Sequence, residues 1–411
     1  MNEKRVVITG LGTVCAVGND LPQTWDSLMA GRHGFARIES MDLTGHKITV
    51  GGEVKNFEYP DKREAKRLDP FCQFGMVAVE EALRMSGIVA GENVAPERVG
   101  IYLGSGIGGI RTLEREMVNG RENGYRRVSA LLVPMIIINI LSGNVAIKYG
   151  FKGNSIGMVT ACSSGTHTIG EGWRAIKLGL EDVIIAGGAE SPFAPVCVAG
   201  FANMKAMTET TDPDRASIPF DKERSGFVMG EGAGALVLEE LEHAKARGAN
   251  ILAEVVGYGT STDAYHITQP SPDGEGAAYA MNMAISSADI TPGDISYINA
   301  HGTSTPMNDL FETRAIKTVF GDAAYKMPIS STKSMVGHAL GAAGALEAVF
   351  SVKSIMEGRI PPTVGYRVPD EELDLDYVTD GARDVDVKYA LSNSLGFGGH
   401  NGTVIFKRYE G

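Results

Sequence analysis

Short β-branched apolar runs recur along the chain, separated by longer stretches in which apolar residues return at helical spacing. Arg5–Thr9, Val99–Leu103, Gly157–Thr160 and Val183–Ala186 read as buried strands. Ala235–Leu238, Ile251–Val256, Ile295–Asn299, Ile329–Ser331, Tyr389–Ser392 and Gly402–Phe406 continue the set. Helical patterns lie between several of them, as at Asp69–Met85 and Gly165–Leu178. Alternation of this kind predicts an α/β fold with mixed sheets covered by helices. A weak internal echo runs through it. VGIYLGSGIGG (99–109) resembles ISYINAHGTST (295–305), a strand followed by a small-residue loop. IGMVTACSSGTHTIGEGWRAIKLG (156–179) resembles ISSTKSMVGHALGAAGALEAVFSVKSI (329–355), a strand, a turn and a helix. The order is the same in both, which suggests a duplication with halves at 1–250 and 251–411. No Pro- or Ser-rich linker intervenes, so the halves are expected to pack tightly.

Composition narrows the function classes. A chain of 411 residues with 43% hydrophobic and 21% charged residues can bury a sizeable core. Its net charge of −12 argues against a nucleic-acid partner, which needs a net or clustered positive field. The start, MNEKRVVITGLG, lacks the apolar core of a signal peptide. The longest apolar run, around Leu131–Leu141, is interrupted by Pro134 and Asn139 and falls short of the ~18 residues that span a membrane. Cys15, Cys72, Cys162 and Cys197 are widely spaced, without the C-x-x-C pattern of metal or redox sites. A soluble, cytoplasmic, thiol-reduced protein without membrane contact is expected.

The segment Thr160-Ala161-Cys162-Ser163-Ser164-Gly165 carries the most chemistry. A strand ends there and a small-residue turn leads into a helix. Cys162 therefore falls at a helix N-terminus, where free amides and the dipole favour a thiolate. Taken alone, the segment fits a nucleophile and a buried structural cysteine equally. Two histidines shift that balance. His301 follows an apolar strand and His338 opens a small-residue helix, so both stand at strand-to-helix edges. Their spacing is not that of a zinc site, and no metal is expected. A nucleophilic cysteine with two histidines suits acyl transfer. The loop Asn393–Gly399 is glycine-dense around Phe397 and can aim backbone amides at an oxyanion; a plain tight turn is the alternative. Neither GLGTVCAVG nor GSGIGG completes a dinucleotide fingerprint.

At TACSSGTHTIG, DKERSGFVMGEGAGALVLE, NAHGTSTPMND, STKSMVGHALGAAGALE and NSLGFGGHN the chain resembles the β-ketoacyl-acyl-carrier-protein synthases, and within them the elongating synthase II group. The likeness runs from residue 4 to about 408, with the motifs in family order. It implies a thiolase-like five-layer αβαβα sandwich of two duplicated halves, usually a homodimer. It implies that Cys162 takes an acyl chain from acyl-carrier protein, with the amides of Cys162 and Phe397 as oxyanion hole. His301 and His338 would stabilise the enolate left when malonyl-carrier protein loses CO2. No cofactor is implied, because decarboxylation itself generates the nucleophile. Lys333 matches the family's active-site lysine and Glu347 its helix carboxylate, organising charge around His338. Glu347 lies nine residues past His338, half a revolution away on a regular helix, so it is a supporting residue only. Thr303 and Thr305 match pantetheine-binding positions.

The resemblance also points to an acyl tunnel past Ile107 and towards Ile137 of a partner's Val133–Ile137 segment, with Phe201 and Phe397 lining or gating it. Met135–Ile138 is bulkier than the family often is there. Carrier-protein docking falls to Lys62, Arg63, Lys66 and Arg67, paired at i, i+4 along a helix, with Arg126, Arg127 and Lys205 extending the patch. Two alternatives remain beside type II fatty acid elongation. One is the ketosynthase of a type II polyketide pathway. The other is a non-catalytic chain-length partner, against which the intact Cys162, His301 and His338 argue. A thiolase would carry a second cysteine near the last glycine loop, and none follows Cys197.

Overall fold

The computed structural model describes residues 4–411. Ten strands form its main sheet system. They are β1 (Val6–Cys15), β2 (Val99–Gly104), β3 (Ser155–Met158), β4 (Val183–Glu190) and β5 (Gly232–Glu240), then β6 (Ala253–Thr262), β7 (Tyr297–Asn299), β8 (Ile329–Ser330), β9 (Tyr389–Gly396) and β10 (His400–Lys407). Six helices matter most for the site: α1 (Pro70–Ser86), α2 (Ile110–Asn123), α3 (Ser164–Lys177), α4 (Glu275–Ser287), α5 (Pro306–Phe320) and α6 (Ala343–Glu357).

The strand order is β8-β7-β9-β10-β6-β1-β5-β4-β2-β3. It consists of the same five-strand pattern twice. In the first half β2 is parallel to β3 and β4, β4 is antiparallel to β5, and β5 to β1. In the second half β7 stands to β8, β9, β10 and β6 in the same relations. The halves join where Val6–Ile8 of β1 pairs with Ala253–Val255 of β6.

Five layers follow from which faces are apolar. Phe71, Phe74 and Val79 of α1 pack on Val183, Ile185 and Val237 of the first half. Met281 of α4 and Ile316 of α5 cover Ile298, Leu391 and Ile405 of the second. Between the sheets lie α3 and α6, with Ile169, Trp173 and Ile176 meeting Leu346, Val349 and Phe350. Both are buried on nearly all sides, as a helix sandwiched between two sheets must be. Local signals set the ends of the outer helices. Asp69 caps α1 ahead of Pro70, and Gly87 closes it in the left-handed conformation at φ 68°.

The N-termini of α3 and α6 touch. A β-carbon on Gly165 would lie 2.6 Å from the Ala345 nitrogen, and one on Gly344 2.8 Å from the Thr166 nitrogen. Only glycine permits that approach. The turns ahead of the two helices also match. Ala161 (φ 51°) and Leu340 (φ 45°) are both non-glycine residues with positive φ, each three residues before its helix. The Ala161 elbow also corrects the third expected strand. It ends at Met158, because Thr160–Cys162 is already turning. Several strands run longer than their apolar runs suggest, since β1 and β5 continue through glycines.

Candidate active site

Cys162 is 7% exposed and opens on a cavity of about 350 Å³. The same cavity is lined by His301, His338, Thr303 and Phe397. Cys162 thus comes from the first half and both histidines from the second. The amide N–H groups of Phe397 and of Cys162 itself face the sulfur. Burial pushes the Cys162 thiol up to about 12, against the pull of Lys333 and of those amides. The expectation that the helix terminus leaves a thiolate is thereby corrected. Desolvation in a closed site outweighs the dipole, and the resting sulfur holds its proton.

His301 is held from behind. Its own N–H and that of Gly302 each donate to the Glu312 carboxylate of α5 at 2.8 Å. The Lys333 Nζ lies 3.3 Å from His301 Nδ1. His338 is set by its backbone, whose N–H donates to the Val228 carbonyl at 2.7 Å and whose carbonyl accepts from Gly230 at 3.0 Å. The two imidazoles stand edge to face, centroids 5.3 Å apart and planes at 88°. Burial, then the Lys333 charge, holds both well below the usual imidazole range, so both are neutral near pH 7. His338 Nδ1 is buried without a hydrogen-bond partner in the chain.

Lys333 is 1% exposed and ion-paired with Glu347, whose carboxyl burial raises to about 7 against the pull of the lysine. The expected arrangement around His338 thus extends to His301. Lys333 hydrogen-bonds His301, and Glu347 reaches Lys333 directly. The half-revolution argument assumed one continuous helix from His338. Instead a 3-10 turn over Leu340–Ala342 intervenes, and α6 begins only at Ala343.

Thr303 and Thr305 share a 2.9 Å hydroxyl contact on the cavity wall, and Thr305 caps α5. Aromatic rings run in file along another wall. Phe397 lies 6.2 Å from Phe201, Phe201 5.6 Å from Phe227, and Phe227 5.3 Å from His338. At the mouth the Gly398 N–H donates to the Ile267 carbonyl at 2.7 Å, and Asn401 donates to Asp263 at 2.7 Å.

Ile107 and Ile137 lie outside the lining of this cavity. Ile107 is half-buried, with its N–H on Glu190, and Ile137 is 38% exposed at the surface of the chain. Of the expected docking residues, Lys205 borders the cavity; Lys62, Arg63, Lys66, Arg67, Arg126 and Arg127 are exposed elsewhere. The helix expected to carry Lys62, Arg63, Lys66 and Arg67 is short. The helix spans only Lys62–Ala65, because Asp69-Pro70 restarts the chain as the cap of α1. Sequence reasoning missed Glu312, Glu190 and Phe227. The available signal was a carboxylate closing an apolar strand (Glu190) or set in a buried helix (Glu312). Among the described residues no group of three or more His, Cys, Asp or Glu side chains is arranged to hold a metal ion. None of the described helices is long and apolar enough to cross a membrane.

Residues 3–244 match the model of the beta-ketoacyl synthase N-terminal domain, and residues 252–367 that of its C-terminal domain. The 3-oxoacyl-[acyl-carrier-protein] synthase 2 of Staphylococcus aureus (strain COL) is 48% identical over 410 residues, covering 99% of each chain. That of Synechocystis sp. (strain ATCC 27184 / PCC 6803 / Kazusa) is 47% identical over 414 residues, covering 100% of this chain and 99% of the other. Among solved structures, a beta-ketoacyl synthase from Burkholderia phymatum STM815 superposes with a TM-score of 0.91 at 34% identity, over 99% of this chain and 100% of that one. A structure of a type II PKS acyl-carrier protein in complex with its ketosynthase gives 0.92 at 32% identity, over 100% of both chains. With a thiolase-like architecture of two repeated halves and family likeness running through both, this chain belongs to the beta-ketoacyl synthase family.

Proposed function

We propose that this chain is a 3-oxoacyl-[acyl-carrier-protein] synthase of type II fatty acid elongation. The observation that carries the reading is the meeting of Cys162, His301 and His338 on one cavity, with two amides aimed at the sulfur. In the first step the Cys162 sulfur attacks the thioester carbonyl of acyl-carrier protein. The amides of Cys162 and Phe397 hold the oxyanion. The thiol proton leaves with the carrier's pantetheine sulfur, and the acyl group stays on Cys162. In the second step malonyl-carrier protein binds, its arm against Thr303 and Thr305. The His301 Nε2–H and His338 donate to its thioester carbonyl. The carboxylate departs as CO2, and its bonding electrons become the enolate. The enolate carbon attacks the acyl-Cys162 carbonyl, the Cys162 sulfur leaves as thiolate and takes a proton from solvent water, and a 3-oxoacyl chain two carbons longer remains on the carrier.

Relatives at 47–48% identity over the full chain favour fatty acid elongation over polyketide assembly, for which a type II PKS ketosynthase stands at 32%. A cytoplasmic site of action and a homodimer belong to the same reading. The dimer would form through exposed Met117, Val118, Leu131, Val133, Ile137 and Val159, beside the free edge of β3. Carrier protein would approach past Lys205, with the remaining cations steering it. The test is mass spectrometry of Cys162 after incubation with acyl-carrier proteins of graded length, followed by malonyl-carrier protein. A thioester mass on Cys162 that is discharged as a 3-oxoacyl product is expected. A chain that never acylates refutes the reading.

A further inference from the structure

Glu190 is a carboxylate sealed inside the protein with only neutral donors around it. It closes β4 and is 0% exposed. Its Oε1 accepts from the Ser105 hydroxyl at 2.7 Å and the Ile107 N–H at 3.2 Å. Its Oε2 accepts from the Gly106 N–H at 2.6 Å and the Gly341 N–H at 2.9 Å. All four acceptor directions of the group are used, so no lone pair of the buried carboxyl is left unpaired, and these donors pull against the burial that raises it above the ordinary carboxylate range. The position of the donors is informative. Ser105, Gly106 and Ile107 form the loop after β2 in the first half. Gly341 belongs to the turn that follows His338 in the second.

Both tethered segments press on the nucleophile's turn. A β-carbon on Gly106 would lie 3.8 Å from the Ala161 carbonyl oxygen, and one on Gly165 3.2 Å from the Gly341 carbonyl oxygen. Glu190 is thus the side chain through which the loop beside the Cys162 elbow and the turn beside His338 are hydrogen-bonded to a common point. We propose that Glu190 is a positioning residue, a clasp that keeps the His338 turn in register with the Cys162 elbow, so that the enolate forms within reach of the acyl thioester. The inference rests on the condensation reading and adds to it a requirement for register. Acylation needs the sulfur with its oxyanion amides, and decarboxylation the two histidines. Carbon–carbon bond formation needs both at a fixed separation.

Glu190→Gln keeps the shape and replaces one oxygen by an NH2 group, so two of the four donors lose their acceptor whichever way the amide turns. Three rates are measured on one preparation: acylation of Cys162 by acyl-carrier protein, decarboxylation of malonyl-carrier protein by unacylated enzyme, and condensation. Condensation should fall about tenfold or more beyond the loss in either half-reaction, the scale expected when reacting groups are misplaced without being removed. Ser105→Ala, which removes one donor, should shift the same ratio in the same direction and carries the test if Glu190→Gln does not fold. Equal losses in all three rates, or none, overturn the clasp. Absence of acylation in the unmodified chain refutes the condensation reading instead.

Discussion

The Lys333 Nζ lies 3.3 Å from His301 Nδ1, with both side chains buried. An ammonium can only donate, so Nδ1 must accept and the ring proton resides on Nε2. The lysine thereby makes His301 a donor towards the cavity. Lys333→Met should reduce malonyl decarboxylation on the order of 10²-fold, the usual cost of one lost donor at an oxyanion. It should also destabilise the fold by about 3–5 kcal/mol, because Glu347 loses its buried partner. Lys333→Met with Glu347→Leu should regain most of the stability in urea unfolding and none of the activity. Recovery of both would show that the lysine serves only the fold.

Cys162→Ala should abolish condensation while unacylated decarboxylation continues, since enolate formation rests on the histidines. His338→Ala should lose both. Product analysis by mass spectrometry separates them. Continued chain elongation by Cys162→Ala would rule out the sulfur as nucleophile.

The depressed histidines have a signed effect on stability. An unfolded imidazole titrates near 6.5, whereas burial and Lys333 keep folded His338 neutral well below that. Below pH 6.5 the unfolded chain therefore binds a proton that the folded chain does not, and stability falls as pH falls. The stability difference between the unmodified chain and His338→Gln should shrink on acidification by up to ~1.4 kcal/mol per pH unit. Above pH 7.5 or so it should be constant. Decarboxylation should stay flat as pH drops through 6.5, because the active rings are already neutral. An acid limb centred at 6.5 would contradict the burial argument.

Lys66 and Arg67 are exposed, and reversing both to Glu should raise the KM for carrier protein several-fold. The salt dependence should weaken, since steering acts over a Debye length of ~8 Å at physiological salt. Small acyl-pantetheine substrates should be handled as before. Equal loss with both substrates would indicate damage to the fold.

Much of the site was legible because its residues follow apolar strands directly. Cys162 and His301 stand just past such ends, where a buried strand delivers a side chain to the sheet edge, whereas a short helix over Lys333–Val336 separates His338 from β8. Their partners were not, because they are distant in sequence and inside other elements. Glu312 holds the His301 and Gly302 amides from within α5, and Glu190 reaches Gly341 across 151 positions. The ion pair of Glu347 with Lys333 was obscured by an assumed helix start, and the shortness of the Lys62–Ala65 helix by overlooking the Asp69-Pro70 restart behind it. The likeness between the halves was legible as strand, turn and helix order. The shared left-handed turns at Ala161 and Leu340 were not, since neither residue type signals positive φ.

The contact of Gly165 with Ala345 and of Gly344 with Thr166 makes the spacing of the reaction a property of two hydrogen atoms. One helix carries the sulfur at its head and the other follows the imidazole, so their separation is a ruler for the chemistry. A single methyl at either glycine acts as a shim. It changes no reacting group, yet the backbones must part to admit it, and the gap that the new carbon–carbon bond has to close should lengthen.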